Sequence, residues 1–175
     1  MAAVTLQAIT VIGRDRPGII AETTRILAEL GFNIEDSTMT LLRGHFAMML
    51  ICAGQRSSAE VQEALGALTE DGTLDVAVRE VPEEPEHPAV GSTYVLSVHG
   101  GDRAGIVSRV VGEVARLGGN ITDLTTRLAG DLYVLVAEVD LPARCDVEAL
   151  QTALRRAGDE LGVDVALRRM ESDEL

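Results

Sequence analysis

The stretch Gly13-Arg14-Asp15-Arg16-Pro17-Gly18-Ile19-Ile20 returns later in the chain as Gly100-Gly101-Asp102-Arg103-Ala104-Gly105-Ile106-Val107. Asp15 and Asp102 lie 87 positions apart, and so do Gly18 and Gly105. The offset holds on to Asn33-Ile34 against Asn120-Ile121, and to Asp36 against Asp123. A period kept in frame through a turn, a helix and the next strand means two copies of one unit. The 175 residues then divide into a first domain at 1–82, a linker at 83–91 and a second domain at 92–175. Domains of roughly 80 residues bury a modest fraction of their surface, so each is expected to lean on the other or on another subunit.

Thr5 to Ile12 alternates as a strand, with Leu6, Ala8, Thr10 and Ile12 on one face and Ile9 and Val11 on the other. Pro17 is expected at the first helical position, where the N–H it lacks has no partner anyway. Ile19, Thr23, Ile26, Leu27 and Leu30 recur at the helical period, and Gly31 fits the left-handed residue that closes a helix. Phe32 to Leu42 reads as a second strand, Arg43-Gly44 as a hairpin turn and His45 to Ala53 as a third strand. That third strand is apolar on both faces, which places it centrally or under cover on both sides. Ser57 or Ser58 caps a second helix, and Leu74, Val76 and Val78 alternate as a fourth strand.

The second half repeats this order. Its strands centre on Tyr94–Val98, Asn120–Leu128, Leu132–Val139 and Val163–Leu167. Its helices carry Val107, Val110, Val111 and Val114, then Val147, Leu150, Leu154, Ala157 and Leu161. The linker region holds three prolines and three glutamates between Val81 and Pro88, a composition that favours an extended, semi-rigid spacer. The last five residues, Glu171 to Leu175, read as a frayed acidic tail. Twice β-α-β-β-α-β is an α+β chain of two ferredoxin-like units, each a four-stranded antiparallel sheet with both helices on one face. One sheet face and one edge strand then lack cover, which invites pairing with a like unit.

Composition removes several function classes. An apolar share of 46% excludes a disordered chain. No apolar run approaches the ~18 residues of a membrane helix, and Met1-Ala2-Ala3-Val4 lacks the basic start of a signal peptide, so a cytoplasmic protein is expected. A net charge of −13 argues against a binder of nucleic-acid backbone, which needs a basic patch. RNA-recognition domains share this element order but stack bases on aromatic residues, and only 2% of this chain is aromatic. Cys52 and Cys145 form no C-x-x-C pair, and Cys52 reads as a small core residue. His45, His87 and His99 show no metal-ligand spacing, so neither a metal nor a cofactor is expected. No catalytic set repeats or clusters, and an enzyme is not expected.

The repeated turn has a chemistry of its own. Amides at a helix start point outward and suit a carboxylate or phosphate. Gly18 and Gly105 lack a Cβ and let a ligand approach the backbone. Asp15 and Asp102 set a carboxylate beside that opening, and Asn33 and Asn120 offer both donor and acceptor. A free amino acid, with one carboxylate and one ammonium, matches these groups. Asp-Arg-Pro-Gly is equally a good strand-to-helix turn with no ligand at all, and Asn33 can serve a strand-end backbone group.

Two units built on Gly-x-Asp-Arg-Pro-Gly-Ile and Gly-x-Asn-Ile-x-Asp resemble tandem ACT domains, over nearly the whole chain. The first half, through Asp15-Arg16-Pro17-Gly18-Ile19 and Asn33-Ile34-Glu35-Asp36-Ser37, resembles the glycine cleavage system transcriptional repressor group. The resemblance implies a regulatory module that binds amino acids between paired ACT domains and acts through a protein partner, a transcriptional activator, rather than on DNA. It implies ligand-facing residues at Asp15, Pro17, Gly18, Ile19, Asn33 and Ile34, repeated as Asp102, Gly105, Ile106, Asn120 and Ile121. Ala104 stands where the motif has proline, which leaves the second turn less preorganised. The alternative function is a detached regulatory subunit of an amino-acid metabolic enzyme.

Overall fold

The computed structural model of the chain describes residues 4–82 and 90–170. The tail read at 171–175 lies outside the described residues, as does most of the spacer. The chain divides into two compact units, Met1–Pro85 and Glu86–Leu175.

In the first unit the order is β1 (Thr5–Arg14), α1 (Ile19–Glu29), β2 (Asn33–Leu42), β3 (His45–Gly54), α2 (Ser58–Ala64) and β4 (Leu74–Val81), with a 3-10 turn at Leu65–Thr69 after α2. The sheet order is β2-β3-β1-β4, and every neighbouring pair is antiparallel. Alternation along β1 and β3 turns Ile9, Val11, Phe46, Met48, Leu50 and Cys52 to the buried side, where Leu27, Val61, Leu65 and Leu68 of the helical segments pack with them. Each large side chain buried there contributes about 1.5–3 kcal/mol. Gln7 shares this face at 0% exposure, and its Nε2 donates to the Arg56 carbonyl at 2.6 Å, tying the loop before α2 to the sheet. β3 is central, as expected. Its second face has no cover, and Met49 there is 44% exposed. β2 is exposed along its whole length.

The β2–β3 hairpin turns through Arg43 (φ 49°) and Gly44 (φ 80°), the pair of positive φ angles of a two-residue type I′ turn. Ser57 caps α2 in a reciprocal capping box with Glu60, which satisfies two otherwise unpaired groups.

The second unit runs β5 (Val90–Gly101), α3 (Ile106–Arg116), β6 (Asn120–Ala129), β7 (Leu132–Pro142), α4 (Val147–Leu161) and β8 (Val163–Arg169). Its sheet order, β6-β7-β5-β8, matches the first. Leu96, Val98, Leu135, Ala137 and Val139 form the sheet side of its core, against Val110, Val114, Leu150 and Leu154. β5 begins at Val90, two residues inside the segment assigned to the linker. Asp146 caps α4 by accepting from the Ala149 amide.

Candidate functional site

Both repeated turns fold alike. Helix α1 does not start at Pro17. It starts at Ile19, with Gly18 as its N-cap at φ 91°, ψ −5°. In the second unit Gly105 caps α3 at φ 91°, ψ 0°. These are the angles of the third residue of a type II turn, whose second residue favours proline. Pro17 therefore occupies the turn and Gly18 enters the helix, and Ala104 fills the proline position in the repeat. The Gly18 carbonyl accepts the first helical bond, from the Glu22 amide at 2.9 Å.

Neither α1 nor α3 has a side chain capping its start, whereas α2 and α4 both do. The first amides of α1, from Ile19 to Ala21, have no carbonyl a turn behind them. A Cβ placed on Gly18 would meet no heavy atom within 4 Å, so the space over the turn is open. Asp15, Pro17 and Gly18 are exposed around it. Ile19 is only 2% exposed and Ile106 only 1%. Their side chains belong to the core, and what they offer a ligand is the backbone amide.

The first corner is held on two sides. The Asp15 amide donates to the Gly44 carbonyl and the Arg14 amide to the Thr73 carbonyl, each at 3.0 Å. A Cβ on Gly13 would sit 2.1 Å from that Thr73 oxygen, so only glycine lets the strands close there. Arg16 folds back on its own unit, 3.2 Å from Glu22 and 3.9 Å from Asp71. Arg14, Arg43 and His45 are exposed around the corner. The second corner is looser and less basic. Asp102 donates to the Asp131 carbonyl at 3.4 Å, and Gly101, Gly130 and Leu132 stand in the places of the three basic residues.

Asn33 is not part of this corner. It pairs in register with Ala53, which pairs with Leu6, at the opposite end of the sheet from Asp15. Nine residues of extended strand between Leu6 and Asp15 span roughly 30 Å. The reason is α1 itself, which carries the chain back across the sheet before β2 begins. Asn33 lines an open recess with Gly31, Ala53, Gln55 and Arg56. Directly after it β2 shifts register between Ile34 and Asp36, and β6 does the same between Ile121 and Asp123. A bulge of this kind re-aims the side chains around it. Ile34 is 36% exposed and Asn120 is exposed, while Ile121 is half-buried against the second core. In each unit the turn residues come together and the asparagine does not join them. Gln55 and Arg56 share the Asn33 recess without any motif in the sequence that marks them.

Among the described residues no three His, Cys, Asp or Glu side chains are grouped to hold a metal ion. No helix there is long and apolar enough to cross a membrane. Burial pushes the Cys52 thiol up to about 11, with the Glu35 carboxylate as the smaller cause, so it is not a nucleophile near neutral pH.

The family model for the ACT domain matches the chain twice, at residues 6–79 and 92–168. The chain belongs to the ACT domain family. Its two ACT units are similar to several curated relatives. A UPF0237 protein of Streptococcus mutans is 42% identical over 72 residues, which are 40% of this chain and 80% of that protein. The glycine cleavage system transcriptional repressor of Escherichia coli is 26% identical over 162 residues, 87% of this chain and 84% of the repressor. Among solved structures, an unknown protein from Galdieria sulphuraria superposes with a TM-score of 0.83 at 28% identity, covering 97% of this chain and all of that one. A putative glycine cleavage system transcriptional repressor superposes at 0.71 with 20% identity, over 97% and 99% of the two chains, a likeness of fold. The ACT assignment accounts for the duplicated turn and the repeated sheet order.

Proposed function

We propose that this tandem ACT protein is a non-enzymatic, cytoplasmic regulator that binds a small amino acid and acts on a protein partner in the control of amino-acid metabolism. Glycine metabolism is the first place to look, because similarity to a glycine cleavage system transcriptional repressor extends over 87% of the chain. The observation that carries the ligand reading is the pair of uncapped helix starts beneath an open glycine turn. The free amides take the carboxylate, and Asp15 or Asp102 pairs with the ammonium. Asn33 and Asn120 lie too far from the turn of their own unit to touch the same ligand. A complete site therefore takes its turn from one copy of the chain and its asparagine from a second copy, Pro17 and Ile34 supplying apolar contact on either side. Ligand then shifts an equilibrium of pairing, provided it binds the two arrangements unequally.

Isothermal titration of the full chain with the common amino acids tests this reading. A saturable heat with one of them, weakened in Asp15→Ala, supports it. No heat and no thermal shift with any of them overturns it. Co-purification from cells then identifies the partner. A transcription factor places the protein in gene regulation, and a metabolic enzyme places it as a separate regulatory subunit.

A further inference from the structure

The two open sheet faces have diverged in one respect. In the first unit the centre of that face is Ile12, Ala47, Met49 and Ile51, and Ile12 is 53% exposed. The positions 87 residues on hold His99, Val134, Val136 and Glu138. Two of the four have become ionisable on a face of the same architecture. His99 pairs there with Asp164 of β8 at 3.3 Å, and Glu138 is exposed. The second face is ionisable at two central positions where the first is apolar, and it keeps Val136 43% exposed.

We propose that the open sheet face of the first unit is the contact surface between two copies of this chain, packed sheet on sheet. The occupant follows from area and charge. Four strands at about 4.8 Å spacing and nine residues in length present roughly 19 by 30 Å. Two such faces bury roughly 1,200 Å², the lower end for a specific dimer. Sheets stacked face to face align their strands to within about 30°, so two registers are open to a two-fold pair.

The partners of Asp75 and Met49 decide between the two. With strands running the same way, β1 lies over the partner copy's β3 and β4 over its β2; Arg79 then lies level with Asp36, but Asp75 meets Thr40 and Met49 sits on Thr10. With strands running oppositely, each strand lies over its own copy. Asp75, beside Ile12 in register, then meets Arg79, which is beside Ala8. The pair forms twice, no like charges are opposed, and Met49 meets its own symmetry mate at the centre. The antiparallel stack is the arrangement assigned.

Light scattering on the full chain, coupled to gel filtration, tests it. The wild type is expected at dimer mass. Met49→Glu places a charge in the contact and should weaken association at least about 100-fold, while circular dichroism stays unchanged because Met49 is exposed in the single chain. Val136→Glu, its counterpart in the second unit, should leave the dimer intact. Arg79→Asp and Asp75→Arg should each weaken association, and the double variant should restore it. The proposal is falsified if the wild type is a monomer at 100 µM or so, or if folded Met49→Glu keeps its dimer mass. Failure of the double variant to recover overturns the antiparallel register. None of these outcomes depends on an amino-acid ligand, so they stand apart from the titration above.

Discussion

Asn33→Ala is expected to weaken amino-acid binding about 10-fold, the worth of one hydrogen bond to a charged group, with the melting temperature unchanged because Asn33 is exposed. Titration calorimetry and a melt on the same sample check both halves. Gly18→Ala acts differently. No atom blocks the added Cβ, but φ at 91° is left-handed, so the variant should lose about 1–2 kcal/mol of stability from backbone strain alone. A urea titration measures it. Cys52 supplies a pH effect. Its thiol is raised in the fold, so its contribution is full below the unfolded value near 9 and is lost as pH climbs toward 11. The decline is at most about 1.4 kcal/mol per pH unit. Melting temperature should fall more steeply between pH 9 and 11 for wild type than for Cys52→Ala, and equal slopes would show that folding does not raise the thiol. Residue identities in the turn were readable from the sequence because they repeat. The role of Ile19 was not, since a core residue and a ligand contact share the same letter until burial is known.

Among the elements, α1 shows where a local signal has two meanings. Pro-Gly ahead of an apolar period fits a helix beginning at proline, and it fits a type II turn that delivers the chain to a helix beginning after glycine. The left-handed φ at Gly18 and Gly105 selects the second. Ala104→Pro follows from that geometry. Proline at the second turn position narrows the unfolded ensemble, and the variant should gain about 0.4–1 kcal/mol, read as a rise in melting temperature. A fall would mean that the turn around Ala104 departs from the one around Pro17. Strand content and succession along the chain were legible from alternation and from glycine punctuation, but the neighbour of the Asn33 strand was not: it was expected beside β1 and lies beside β3. The place of Asn33 was not, because it depends on which end of the sheet a helix returns the chain to. Eleven helical residues cover roughly 16 Å, enough to carry β2's first residue far from the corner where α1 starts.

At the scale of the whole molecule, duplication has kept the turns and changed their surroundings. Arg14 and Arg43 give the first corner a positive field that Gly101 and Gly130 do not give the second. The first corner should hold a carboxylate more tightly, and its affinity should fall more with added salt. Titrations of Asp15→Ala and Asp102→Ala at low and high salt compare the two, and equal affinities would remove the distinction. The period of the repeat was plain in the sequence. Which copy had kept an apolar sheet face was hidden until the register showed which side chains share it.

The absent caps on α1 and α3 carry one more consequence. A carboxylate seated on those amides would do for these helices what Ser57 and Asp146 do for the other two, so occupancy would be felt as resistance to heat. At a concentration of ~100 times its dissociation constant a ligand adds about 2.7 kcal/mol. Amide exchange at Ile19, Ile20 and Ala21 should then slow ahead of the rest of the chain. Ligand supply and fold durability would then become the same quantity.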